Sequence, residues 1–419
     1  MTTAKPLDIL IIGGSLAGLL TGTALSRLGH RIRIFERAPA MANQGAGIVA
    51  QPDLLHFLSA YDRTHATVTV KSGLRQYLDG EGKVLEKEDT EQKMTSWDAV
   101  YWVLRANFDG RGSEYIEGEA PQCPSTASYN LSHTLDSFEV KGKKVEVKYT
   151  SGEGKEATQH MTEADILIAC DGASSTVRSS LLPDVKRKYA GYLAYRGLIP
   201  EKELSKEACE ALIGKFSFFH AEGTQCLTYA IPGESGSTKE GERNLNWVWY
   251  VNLPEDIKND SKEPGENPFI SNEGFVGTWS LHSGQLQEKT IENVRERARK
   301  QLPPAMREAV LKTPQPFLQA VTDVRSPEIV HSNGRVILAG DATCGPRPHT
   351  AASTNQAALH ALWLAELVGE AGKGWEDVKK ALGGEYTKRV LEYSEELDAK
   401  GRKLGNRSQF GKHPWNVEG

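Results

Sequence analysis

An α/β fold interrupted by a β-rich insertion is the class this sequence predicts, and three observations predict it. Residues 8–36 run strand, glycine turn, helix, strand. Residues 187–283 change to a series of strand-like segments, and residues 335–399 return to a short buried strand followed by helices. At 419 residues the chain exceeds one small core, so two domains, or one domain with an inserted lobe, are expected.

The opening unit has an apolar β run at 8–12 and helical apolar spacing through Leu16, Leu19, Leu20, Ala24, Leu25 and Leu28. A second strand follows at 31–35. Residues 73–88, with Asp79-Gly80-Glu81-Gly82 at their middle, read as a hairpin, as do 136–150 around Lys141-Gly142. A buried strand at 163–170 ends on Asp171-Gly172. Strand-like segments at 189–199, 214–220, 225–231 and 244–252 are separated by polar loops such as 233–243 and 255–268. Residues 288–312 read as helical apart from the Pro303-Pro304 break, 335–339 as a short strand, and 352–370 and 375–399 as helices.

A formal charge of −5, from 50 basic and 55 acidic residues, gives no basic excess for nucleic acid or anionic lipid, which favours small-molecule partners. No stretch approaches the roughly 18 uninterrupted apolar residues of a membrane span, and the first strand ends in glycines rather than a cleavage site. Cys123, Cys170, Cys209, Cys226 and Cys344 are dispersed without metal-ligand or redox-pair spacing. The expectation is a cytoplasmic protein with structural thiols and no metal site.

Gly13-Gly14-Ser15-Leu16-Ala17-Gly18 follows the first strand and opens the helix. Small residues there let the backbone turn sharply and approach a pyrophosphate, which then meets the helix N-terminus. Ser15 stands where a second glycine is usual. Glu36, with Arg37 behind it, ends the second strand about 20 residues on, where an acid accepts ribose hydroxyls. Strand, turn, helix and acid in register point to dinucleotide binding; a glycine turn alone would not.

Two later segments carry a family resemblance. Asp171-Gly172-Ala173-Ser174-Ser175-Thr176-Val177-Arg178, after a buried strand, and Val336-Ile337-Leu338-Ala339-Gly340-Asp341-Ala342 resemble, in order, the motifs of single-component (group A) FAD-dependent aromatic monooxygenases. Without that resemblance, Asp171 reads as a helix cap and 336–342 as a strand and turn. Tyr189-Ala190-Gly191-Tyr192-Leu193-Ala194-Tyr195-Arg196-Gly197, Asn246-Trp247-Val248-Trp249-Tyr250-Val251 and Arg347-Pro348-His349 are similar to the branch containing 2,6-dihydroxypyridine 3-monooxygenase. Ala351 and Ser353 depart from the glycines that bacterial members of that branch tend to place there. Arg105 matches the family arginine beside FAD, and Gly47-Ile48 the loop that passes near the isoalloxazine.

The resemblance implies a p-hydroxybenzoate hydroxylase-like organisation: a Rossmann-like FAD-binding domain in three parts (1–72, 99–186, 286–400), a substrate-domain hairpin at 73–98, a β-rich substrate domain at 187–285 and a tail at 401–419. It implies FAD held by residues 13–18, Glu36, Arg37, Gly47, Ile48, Arg105, Asp171, Gly172, Gly340, Asp341 and Pro348. NADPH or NADH would act as transient reductant, and a flavin C4a-hydroperoxide would hydroxylate an electron-rich aromatic or N-heteroaromatic small molecule with O2. Candidate catalytic residues are His349, Tyr195 and His220, and candidate substrate contacts are Tyr195, Arg196, His220, Tyr229, Trp249 and His349. Alternation lets one of Tyr195 and Arg196 face the flavin, and Tyr195 is favoured. The alternatives are an epoxidase or ring-rearranging oxygenase of an indole- or polyketide-type compound, a flavin-binding protein without monooxygenase activity, and a flavin-free nicotinamide dehydrogenase. Oligomeric state, a homodimer included, is left open.

Overall fold

The computed structural model describes residues 6–41, 44–260, 266–369 and 375–405. Its first layer is a six-stranded sheet in the order Val330–His331, Val336–Leu338, Ile166–Ala169, Asp8–Ile12, Arg31–Phe35, Ala127–Asn130. All its pairings are parallel except the first. Parallel strands buried on both faces need near-continuous apolar runs. The first strand meets that need: Ile9 and Ile11 face one core, and Leu10 and Ile12 the other. The first core is covered by the helices Leu16–Arg27, Trp97–Asp109 and Ser353–Gly369. The second lies under the three-stranded sheet formed by His133–Lys141, Lys144–Ser151 and Thr158–Ala164. Each fully buried Ile or Leu contributes about 1.5–3 kcal/mol relative to exposure.

The second layer is a nine-stranded sheet. Its central strands are Phe317–Arg325, Lys188–Pro200, Asn244–Asn252, Thr224–Ile231 and Lys215–Ala221, with the hairpin Leu74–Leu78 and Val84–Glu88 at one edge. Strand alternation divides its residues between two cores. Tyr195, Trp247, Trp249, Phe219 and Leu318 point outward against the helices Glu288–Gln301 and Pro304–Lys312, through Ile291, Val294, Ala298, Met306, Ala309 and Val310. Tyr192, Ala194, Tyr229, Val248, Tyr250 and Val321 point inward, onto Val49 and Met94 of a small sheet made by Gly47–Ala50, Gln92–Ser96 and Val70–Ser72.

Two expectations need correction. The boundary expected at 285/286 falls inside the sheet-bearing lobe, because helices 288–301 and 304–312 bury their apolar stripe on the outer face and strand 317–325 lies within the same sheet. The last predicted helix is broken by a π turn at Leu382–Tyr386, and the helix Thr387–Leu404 then runs past the expected end. The strands at 47–50, 70–72 and 92–96 were not legible, being three to five residues long and mixed in polarity.

Trp247 Nε1 donates to Thr313 Oγ1 at 2.8 Å, and both residues are buried. Thr313→Val keeps the volume but strands a buried indole N–H, so it should cost about 1–3 kcal/mol. Urea unfolding should show a lower midpoint, and an unchanged midpoint would contradict this account of how the helical layer is joined to the sheet.

Candidate active site

At the carboxyl ends of the parallel strands the backbone is packed too closely for side chains. Gly13 has φ +101°, and a Cβ there would run into the carbonyl of Cys170. A Cβ on Gly14 would strike Tyr129 Oη. That phenol donates to the Gly14 carbonyl at 2.7 Å, while Gly14 N donates to Glu36 Oε2 at 2.8 Å and Ala38 N to Glu36 Oε1 at 2.9 Å. Ser15 caps the following helix without a side-chain hydrogen bond, so no side chain of the cap occupies the first-turn amides. Leu16 packs into the core under them, and Arg37 is exposed.

Arg105 does not reach the glycine turn directly. Its guanidinium lies 3.7 Å over the Tyr129 ring, pairs with Asp109 at 2.7 Å and donates to Tyr101 Oη at 2.8 Å. It thereby braces the phenol that touches Gly14. The same helix supplies Asp98, whose carboxylate accepts from Gln44 N at 2.8 Å and Gly45 N at 3.4 Å and so fixes the loop leading into Gly47.

Asp171 does two things at once. Oδ2 caps the helix Thr176–Leu181 by accepting from Thr176 N and Val177 N, whereas Oδ1 is buried with no hydrogen-bond partner. Burial pushes this carboxyl up. Asp341 is likewise raised by burial and accepts from Ser353 Oγ at 2.7 Å. The Gly340 amide donates to His360 Nδ1 at 3.0 Å, a contact the sequence did not suggest. A helix end without a side-chain cap, a backbone cradle that a Cβ would fill and a buried carboxylate oxygen awaiting a donor fit FAD. Residues 13–18 and Glu36 would hold its adenylate half, and Asp171, Gly340 and Asp341 the remainder.

The candidate substrate chamber is the region where the Gly47 strand packs against the inner face of the large sheet. Gly47 N donates to Asn246 Oδ1 at 3.1 Å, and a Cβ on Gly47 would lie within 2.8 Å of both Asn246 and Tyr229. Asn246 is fully buried and its Nδ2 has no partner; the Nε of Arg196 is also buried and without one, while its Nη2 sits 3.5 Å from the Gly47 carbonyl. Burial pushes the Tyr229 phenol up to about 12. His349 borders this region, its ring 4.1 Å from that of Tyr250 and its Nε2 3.1 Å from Tyr192 Oη. Burial, then the nearby charges of Arg347 and His220, push His349 down to about 3, so it is neutral. His220 stands on the same face, with Nε2 3.3 Å from Gln225 Nε2 and its ring beside Tyr77 and Phe218.

Of the predicted chamber residues, Arg196, His220, Tyr229 and His349 thus come together. Tyr195 and Trp249 do not. Both point to the outer face, where Tyr195 meets Trp249 at 6.4 Å between ring centroids and Arg297 lies 5.9 Å over Trp249. The choice between Tyr195 and Arg196 falls to Arg196, because the aromatic residue is the one the outer helices can bury. Tyr192, Asn246 and Tyr250 were missed. A lone amide in the apolar run Leu245–Val251, four residues from Tyr250 and therefore on its face, was the signal that could have found two of them. Pro348 opens a 3-10 turn, Pro348–Thr350, that carries His349. Ala351 follows at φ +51°, a left-handed conformation that costs a non-glycine residue about 1–2 kcal/mol, and Gln51 Nε2 braces it with donations to the Thr350 and Ala351 carbonyls at 3.0 Å.

Among the described residues no group of His, Cys, Asp and Glu side chains could hold a metal ion, and no helix is long and apolar enough to cross a membrane. The FAD binding domain-like family matches residues 189–323. The chain is 27% identical over 398 residues to 2,6-dihydroxypyridine 3-monooxygenase of Paenarthrobacter nicotinovorans, spanning 93% of this chain and 91% of that protein. It is 22% identical over 389 residues to 6-hydroxynicotinate 3-monooxygenase of Pseudomonas fluorescens, spanning 87% and 83%. The solved structure of 2,6-dihydroxypyridine-3-hydroxylase from Arthrobacter nicotinovorans superimposes with a TM-score of 0.82 at 26% identity, over 99% of this chain and 96% of that one.

Burial also pushes His360 down to about 3, against an unfolded value near 6.5. A histidine kept neutral by folding contributes stability that is complete above the unfolded value and is lost as pH falls toward the folded one. His360→Asn keeps an acceptor for Gly340 N and removes the titration. The drop in unfolding free energy between pH 7.5 and 5.5 should therefore shrink by about 1.4 kcal/mol in this variant. An equal drop in both proteins would contradict the neutral, buried ring.

Proposed function

We propose that this chain, a flavoprotein monooxygenase of the group A family, hydroxylates an electron-rich aromatic or N-heteroaromatic small molecule bearing an ionised oxygen, at the expense of NAD(P)H and O2. The observation that carries this reading is the pair of buried, unpartnered donors beside Gly47, Asn246 Nδ2 and Arg196 Nε. A buried donor without a partner costs on the order of 1–3 kcal/mol, a penalty that an acceptor on a ligand removes. FAD, once bound and reduced, supplies the oxygen-activating chemistry.

What remains for the protein is to bind, orient and keep dry. Arg196 offers a permanent positive charge and Tyr229 a phenol that burial keeps protonated, so this wall donates hydrogen bonds to an oxyanion. Holding the substrate as its oxyanion raises the electron density of the ring that must attack oxygen. Phe216, Phe218 and Tyr250 give an aromatic lining suited to a flat ring. Neutral His349, held by Tyr192, borders the space without adding a second charge. Names of the relatives support the reading, since two of them are called monooxygenases of hydroxylated pyridines.

A panel containing 2,6-dihydroxypyridine, 6-hydroxynicotinate and salicylate, followed by NAD(P)H oxidation, O2 uptake and product analysis together, tests it. At least one ring with an ionisable oxygen should both stimulate oxidation and be hydroxylated. Arg196→Gln should then raise KM for that compound by about 10- to 100-fold, as expected for a charged hydrogen bond lost. A flavin-loaded enzyme that oxygenates none of them, or a variant with unchanged KM, would count against the proposal.

A further inference from the structure

We infer that the end of the C-terminal helix is a working part of the reaction chamber: Gly405 and the Arg347–Asp323 pair clasp the loop that presents His349, with Arg347 as a positioning residue. The inference rests on the reading of the chamber given above.

The 347–351 loop is irregular, one 3-10 turn followed by a left-handed alanine, and its backbone joins no sheet ladder that would set its place. Its position comes from both sides instead. On one side Gln51 holds the Thr350 and Ala351 carbonyls. On the other, Arg347 makes two parallel hydrogen bonds to Asp323, Nε to Oδ1 and Nη2 to Oδ2, both at 2.6 Å. These side chains are 11% and 14% exposed. Asp323 belongs to strand Phe317–Arg325, so the loop is anchored to the large sheet, and the fork geometry fixes angle as well as distance.

The third Arg347 bond is the informative one. Nη1 donates to the Gly405 carbonyl at 2.7 Å, just beyond the helix Thr387–Leu404. Gly401 and Gly405, one helical turn apart, are the residues in contact. A Cβ on Gly401 would come within 3.3 Å of Arg347 Cβ, and one on Gly405 would strike Tyr192 Oη and lie 2.7 Å from His349 Cδ2. The helix end therefore lies directly against the Tyr192–His349 pair, with no room for even a methyl group. Burial that keeps His349 neutral is supplied in part by this helix, so its seating decides whether that side of the chamber is closed to water.

Loosening the clasp should leave flavin reduction intact and impair oxygen transfer. A coupled turnover converts NAD(P)H, H+, O2 and substrate into NAD(P)+, water and hydroxylated product. In the uncoupled one, NAD(P)H, H+ and O2 give NAD(P)+ and H2O2, both electrons passing to oxygen without transfer to the ring.

The test compares wild type, Gly405→Ala and Arg347→Lys. Arg347→Lys keeps a positive charge near Asp323 but cannot also reach the Gly405 carbonyl in the same geometry. In both variants hydrogen exchange of residues 346–351 should accelerate at least about 10-fold, with cooperative unfolding retained and FAD content close to wild type. With a substrate from the panel, the share of NAD(P)H appearing as H2O2 should rise at least about threefold. If Gly405→Ala does not fold, Arg347→Lys carries the test alone. Wild-type exchange in the folded variants, or wild-type coupling in spite of faster exchange, overturns the clasp. Failure of the underlying reading looks different: wild type itself would bind FAD and oxygenate nothing, while the exchange measurement would still report on the clasp.

Discussion

Gly14 occupies a place where two neighbours leave no space for a side chain: Glu36, just past the second strand, and Tyr129 from the strand beyond it. The crowding is what makes the turn a binding device. Because Tyr129 and Glu36 hold the peptide from either side, the amides at the start of the helix have a fixed direction, and Arg105 stacked on Tyr129 prevents that phenol from relaxing away. The order of the parallel sheet, the placement of the helix Trp97–Asp109 and the burial of Glu36 all serve that one approach of backbone to ligand.

The second constraint is the division of the large sheet into two faces. Its outer residues are committed to the helices 288–312, which bury two tryptophans and Tyr195. On the inner face Arg196, Asn246 and Tyr229 converge at Gly47. Gly47 serves both halves of the molecule: its missing side chain lets the sheet approach, and its amide and carbonyl engage Asn246 and Arg196. The Gly47 strand and the inner face of the sheet are thus hydrogen-bonded to one another.

Much of the cofactor half was legible because its determinants are local. The strand, Gly13-Gly14 and the helix are contiguous, Glu36 follows at a fixed offset, and Asp171 and Asp341 each end an apolar strand. The four principal strands of the lobe and the Pro303-Pro304 break were also readable from period and punctuation. What could not be read was set by distant partners. Arg105 reads as packing beside FAD, and its stacking on Tyr129, the phenol that donates to Gly14, could not be read from the sequence. The inward-facing member of the Tyr195–Arg196 pair depended on helices almost 100 residues downstream. Tyr192, Asn246 and Tyr250 acquire meaning only once alternation is anchored by one known contact. The seating of Gly405 on His349 links positions 56 residues apart through shape alone.

The account stands on FAD lying across the turn at 13–18, and titration of the purified chain with FAD measures that directly. Wild type should take up one FAD per chain with quenching of flavin fluorescence, and Gly14→Val, whose side chain would displace Tyr129 and Glu36, should lose affinity by at least about 100-fold while remaining folded by circular dichroism. A folded wild-type chain that takes up no FAD, or a Gly14→Val variant that binds it as tightly as wild type, would contradict the account at its base.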